Sequence, residues 1–215
     1  MERILSKSLL IAVVLLLLFS AGCAKRAIPD TILEVEQTWF FFREGEITYD
    51  ELKEQIAGHY IDLEKTVGEE VFASSRSQND EVTILYKDLE GLSVDEIHDL
   101  VAAIYESFTQ AGIESTVVSS QVSVSKPMDY FLDQQMAFSW REDMVEGLFP
   151  DDTCMILSTC YYLSKVDGEW KIDRSNSIQM GYQVSDSEEE KQQQIDFATL
   201  PYQDEAEYVQ TITLK

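Results

Sequence analysis

The stretch TCMILSTCYYLSKVDGEWKID, residues 153 to 173, sets two β-forming runs on either side of an Asp-Gly pair. Thr153 to Val166 is apolar on both alternating faces. Cys154, Ile156, Cys160 and Tyr162 fall on one, and Met155, Leu157, Tyr161 and Leu163 on the other. A strand that can bury both faces reads as a central strand covered from two sides. Asp167-Gly168 is a strong hairpin signal, because both positions of a two-residue turn take positive φ, which Asp tolerates and Gly adopts freely. In the returning strand Trp170 and Ile172 share one face, with Glu169, Lys171 and Asp173 on the other.

Cover for this hairpin comes from upstream. Ile32, Val35, Trp39 and Phe42 recur at helical spacing within Thr31 to Arg43, and Leu33, Phe40 and Phe41 widen the apolar surface beyond one stripe. Such a helix is covered on two sides. Gly45 suits its stop. Thr48-Tyr49-Asp50-Glu51 is a capping box, after which Leu52, Ile56, Tyr60, Leu63, Val67 and Val71 keep helical spacing, with Gly58 arguing against one unbroken helix. Ser74 to Asp80 reads as a loop, and Val82 to Tyr86 as a short strand.

Ser93-Val94-Asp95-Glu96 is a second capping box. It opens the clearest helix of the chain, with Val94, Ile97, Val101, Ile104 and Phe108 in one stripe, Tyr105 beside it and Gly112 at its end. Ser115 to Ser125 alternates, with Thr116, Val118, Ser120, Val122 and Val124 on one side. Pro127 to Leu148 fits either helix or strands. From Ser185 the chain turns acidic and Gln-rich, which reads as a solvated helix or a flexible segment, and Tyr208 to Leu214 reads as a last strand.

Composition narrows the function. The chain of 215 residues carries 40 acidic and 16 basic residues, a net charge of −24. That charge excludes a nucleic-acid surface, which needs a basic face, and opposes lying flat on an anionic membrane. Cys154 and Cys160 lie six apart in one strand, about 20 Å at ~3.3 Å per residue, too far for a disulfide. They read as small buried side chains.

At the other end of the chain, Arg3 and Lys7 precede eleven apolar residues, Leu9 to Phe19, and then Ser20-Ala21-Gly22-Cys23. This plan resembles a bacterial lipoprotein signal whose last four residues are the lipobox, with Ser20 where Leu is commoner. The resemblance implies cleavage of residues 1–22 and a lipid on the Cys23 sulfur. Residues 23–30 would be a lipidated cysteine and short spacer that holds the domain close to the cell membrane, on its extracytoplasmic face. The alternative is an uncleaved membrane helix. The uncharged run Ser8 to Ala24 has 17 residues, the short limit for a span, and Lys25 and Arg26 would lie on the outer side, against the positive-inside tendency. Both readings place residues 27–215 outside the cytoplasm.

The fold class is α+β, with N-terminal helices packed on a curved antiparallel sheet over residues 31–184 and an acidic segment over 185–215. The order of elements, with the hydrophobic-Asp-Gly-x-Trp-x-Ile hairpin at 166–172, resembles the nuclear-transport-factor-two-like superfamily, which includes SnoaL-like and ketosteroid-isomerase-like proteins. The resemblance implies a sheet wrapped around the helices as a cone with an apolar pocket. Enzymes of that kind place an acidic base, a Tyr or a His inside it.

No such set is matched residue by residue here. Trp39, Tyr60, Tyr105 and Phe108 are the candidate pocket residues, although aromatics at helical spacing are more often plain core. Asp95, His98 and Asp99 share a helical turn, but on the face opposite the apolar stripe, where solvent is the ordinary neighbour. His59 and His98 are the only histidines and lack a ligand-spaced partner, so no metal or cofactor is implied. Two functions remain in view. One is a non-catalytic, lipid-anchored module that binds a small apolar ligand or an envelope protein. The other is a small enzyme of the steroid-isomerase or dehydratase type, using a buried carboxylate and a Tyr.

Overall fold

The structure, a computed structural model, describes residues 27–76, 81–104, 116–147 and 152–215. Cys23 and the residues before it, Tyr105, Phe108, Gly112 and the turn before Asp152 lie outside the described residues. Helix α1 spans Ile28–Arg43, three residues longer at its start than its apolar spacing marks, because Pro29 occupies the first turn, where no backbone donor is needed. Ile28, Thr31, Ile32, Val35, Glu36, Thr38, Phe40 and Phe42 are buried, so the helix is covered on more than one side. Gly45 follows at φ 69°.

Helix α2, Tyr49–Ile56, starts at the Thr48 capping box. The helical spacing beyond it does not make one helix. A 3-10 turn covers Ala57–His59 and a π-helical turn Glu64–Gly68. Between them Tyr60 forms a β-bridge to Ile172, and the Ile61 amide donates to the Ile172 carbonyl at 2.9 Å. Pairing with a distant strand has overridden local propensity. Strands β1 (Val71–Arg76) and β2 (Glu81–Leu85) form a separate antiparallel pair. Ser74 and Ser75, which read as loop by composition, belong to β1. Helix α3, Val94–Ile104, begins at the Ser93 box, where Ser93 and Glu96 exchange hydrogen bonds.

The main sheet has six strands: β3 (Thr116–Ser125), β4 (Met128–Asp129), β5 (Gln135–Glu146), β6 (Thr153–Val166), β7 (Glu169–Gln183) and β8 (Tyr208–Thr213). Their order is β7-β6-β5-β3-β8, all antiparallel, with β4 paired to the start of β5. The ambiguous stretch after Pro127 is therefore strand. Strand β6 is paired on both edges, and Asp167 and Gly168 turn at φ 51° and 84°. Val118 is exposed rather than inward, since a register shift between Val117 and Ser119 flips the alternation there.

Both faces of the sheet are covered. On the inner face Val124, Ala137, Tyr161, Leu163 and Ile172 pack with α1 and α2. On the outer face Phe138, Cys154, Ile156 and Cys160 meet Ala198 and Leu200. These two come from helix α4 (Glu188–Ala198) and the turn after it, so the acidic segment is a helix laid on the sheet. A third capping box, Ser187 with Glu190, starts it. The segment also ends in β8, which pairs with β3, so residues 185–215 complete the sheet. Cys154 and Cys160 are free and buried. Among the described residues no helix is long and apolar enough to cross a membrane.

Candidate functional site

Glu36 is the one carboxylate that α1 carries into the sheet. It falls four residues after Ile32 and three before Trp39, so it shares the face of the core residues, and only 2% of its surface is exposed. Burying a carboxylate is costly without partners. Two hydroxyls supply them on the same oxygen: Tyr161 of β6 donates to Glu36 Oε1 at 2.7 Å, and Ser139 of β5 donates to the same atom.

A cavity of about 70 Å³ lies beside this carboxylate. Glu36, Trp39 and Arg43 reach it from α1, and Tyr60 from the bridge to β7. Tyr86 and Glu70 close one side, with Thr159, Tyr161, Ser175 and Ser177 along the sheet wall. The space takes a few water molecules or a group of a few heavy atoms. Its lining brings Trp39 and Tyr60 together, as their positions beside the apolar stripes allowed. Glu36 was not among the candidate pocket residues.

The tyrosines are held as phenols. Burial, followed by the Glu36 charge, raises the Tyr161 pKa well above its ordinary value. Burial also raises Tyr60, partly offset by a hydrogen bond from Trp39, and it raises Tyr86. Glu70 keeps contact with solvent, yet the part of it turned to the cavity is desolvated enough to raise its carboxyl pKa. Arg43 is likewise open to solvent on one side. Desolvation and then Arg141 lower its pKa, against the opposing pull of Tyr86 and Glu36, and a guanidinium stays charged under such a shift.

A second polar group continues the inner face of β5. Arg141 Nε and Nη2 both meet Asp143 Oδ2 at 3.0 Å, and Asp143 Oδ1 accepts from Ser120 at 2.6 Å. Arg141 Nη1 is buried without a hydrogen-bond partner among the described residues, and the guanidinium lies over the Phe40 ring at 5.9 Å.

Asp95, His98 and Asp99 are exposed on α3. Among the described residues no group of three or more His, Cys, Asp and Glu side chains could hold a metal ion. An apolar cavity of about 350 Å³ lies between α3 and β1, lined by Phe42, Ile47, Phe72, Ile97 and Val101. Arg43 borders both cavities.

The signal for Glu36 was present but indirect. A helix covered on two sides leaves little water for a charge within its apolar stripe, and Ile32-Glu36-Trp39 are spaced to share that stripe. The hydroxyl partners come from strands more than a hundred residues later. The chain matches no protein-family model, and no curated protein and no solved structure matches it significantly.

Proposed function

We propose that the protein is a lipid-anchored, extracytoplasmic binding module, attached to the cell membrane through Cys23, whose cone-like interior takes a small ligand at Glu36. The observation that carries the binding reading is the buried carboxylate beside a cavity, with its Oε1 already held by Tyr161 and Ser139. A fixed, desolvated acceptor selects for a donor. The lining holds two carboxylates, one guanidinium and four aromatic rings, so it favours a cationic nitrogen whose short apolar body lies on Trp39, Tyr60 and Tyr86.

The test uses three probes of one size: propylammonium, propionate and propanol, at matched ionic strength. Propylammonium should raise the melting temperature of the wild type, as a ligand that binds only the native state does, and should leave Glu36→Gln unchanged. Equal responses to all three, or an unchanged effect in Glu36→Gln, would overturn the reading. For the anchor, Cys23→Ala should accumulate as uncleaved precursor without acyl chains, and normal processing of that variant would count against it.

The second reading is an enzyme of the isomerase or dehydratase type, favoured by the contact between Glu36 and Tyr161. The geometry ranks it lower because the Tyr161 proton is committed to the carboxylate and so is not free to stabilise a developing oxyanion. Glu36-dependent exchange of deuterium into the α-carbon of a small cyclic enone would reverse that order.

A further inference from the structure

The turn between β4 and β5 points its apolar side chains away from the fold. Leu132 is 88% exposed and Phe131 65%. Single exposed apolar residues are ordinary, but this pair is held in place. The Tyr130 amide donates to the Gln134 carbonyl, and the Gln134 amide to the Phe131 carbonyl, both at 3.0 Å. The Gln134 side chain bonds Ser164 Oγ at 2.9 Å, and the Tyr130 ring lies edge-on to Tyr162 at 4.9 Å. Leu132 itself sits at φ 52°, a left-handed conformation that favours Gly or Asn and disfavours leucine. Nothing inside the fold rewards a leucine there.

Its location supplies the reason. Phe131 and Leu132 border a groove shared with Gln135, Lys165 and Trp170. Those three also border the adjoining groove with Ala27, Ile28 and Pro29, where the described chain begins. The turn and the start of α1 therefore lie at one end of the molecule. From Cys23 to Ala27 the chain reaches at most about 14 Å. A lipid on Cys23 would hold this end, and not the opposite one, against the bilayer.

We propose that Phe131 and Leu132 enter the interface of the bilayer to which Cys23 is anchored, making a second contact that fixes the orientation of the domain. The inference rests on the anchor reading above. Tethering turns a weak insertion into an intramolecular event, so two side chains suffice. Trp170, Lys165 and Lys171 line the adjoining groove, and each combines an apolar stem with a polar tip, the residue type suited to an interface. Asp129 and Asp133 line the groove at the turn, Asp167 and Glu169 line the adjoining one, and Asp173 accepts from the Gln134 side chain, so acidic groups outweigh the lysines at this end. Attraction to anionic lipid is therefore not the driving force, and apolar burial is.

The experiment uses the full, lipidated chain in vesicles of phosphatidylcholine with no other protein, carrying a nitroxide on Leu132→Cys or, in the first turn of α4 beyond the last residue of β7, on Glu189→Cys. Cys154 and Cys160 are buried, so the introduced thiol is the one labelled. The proposal requires the label at 132 to meet dissolved oxygen several-fold more often, relative to a water-soluble nickel chelate, than the label at 189. Adding phosphatidylglycerol should not deepen it. If the chain stays on the vesicle and both labels are equally wet, this proposal fails while the anchor reading stands. If the wild-type chain washes off and carries no acyl group, both fail. Shielding in native membranes but not in the vesicles would assign the turn to a protein partner, and a need for anionic lipid would assign it to charge. Either result overturns the proposal.

Discussion

Tyr161 donates its hydroxyl proton to Glu36 Oε1 at 2.7 Å, tying the middle of β6 to the middle of α1 across 125 positions of sequence. The bond satisfies the only fully buried carboxylate on α1 and closes one wall of the cavity beside it. Tyr161→Phe should cost about 1–3 kcal/mol, the usual range for leaving a buried charged acceptor short of a donor. In a Glu36→Gln background the same change should cost less, because the acceptor is neutral. Urea denaturation of the four proteins measures the coupling, and strict additivity would mean that the two groups do not share a hydrogen bond.

The cavity tyrosines contribute to the alkaline limit of stability. Tyr60, Tyr86 and Tyr161 all have pKa values raised in the folded state. A raised folded pKa means that their stabilisation is fully present below the unfolded value of about 10 and is lost as pH climbs past it, when the unfolded chain releases protons that the folded chain retains. The urea midpoint should hold level from pH 7 to 9 and fall above 10. The double variant Tyr60→Phe, Tyr86→Phe should show a shallower fall.

The C-terminal segment should behave as part of the core. Ser187→Ala removes the cap of α4 and should cost about 0.5–2 kcal/mol. Leu200→Ala empties a buried contact with the outer face of the sheet and should cost about 2–5 kcal/mol. If calorimetry finds both variants as stable as the wild type, α4 does not cover the sheet.

Leu132→Asn should stabilise the fold by about 1 kcal/mol in detergent solution, since Asn tolerates the left-handed backbone that leucine resists. Gly168→Ala, at φ 84° in the β6–β7 turn, should do the opposite by about 1–2 kcal/mol. Chemical denaturation of the two variants beside the wild type reads both signs.

Cys154 and Cys160 should be inert in the native protein. Burial is the main cause raising both thiol pKa values, so little thiolate is available to react. A colourimetric thiol reagent should titrate neither in native buffer and both in concentrated urea.

Local pattern made much of the architecture legible. Capping boxes at Thr48 and Ser93, the two-faced apolar run of β6 and the Asp167-Gly168 turn each depend on neighbours within a few residues, and each is where the sequence places it. Strand β5 was harder. Met136, Phe138 and Trp140 alternate, but the facing side holds Ser139, Arg141 and Asp143, and a buried polar face lacks the apolar signature of an inner strand. The Ser187-x-x-Glu190 box was also readable, but was masked by the acidic run that it opens.

What the sequence determined by itself is the α+β class and most of the elements, because periodicity, caps and turns are written in adjacent residues. Only the tertiary structure decided that Glu36 is buried, that α4 lies on the sheet and that Leu132 stands at the end where the chain emerges. Burial depends on what packs opposite a residue. For Glu36 that means hydroxyls over a hundred positions away, a relation that no local pattern records.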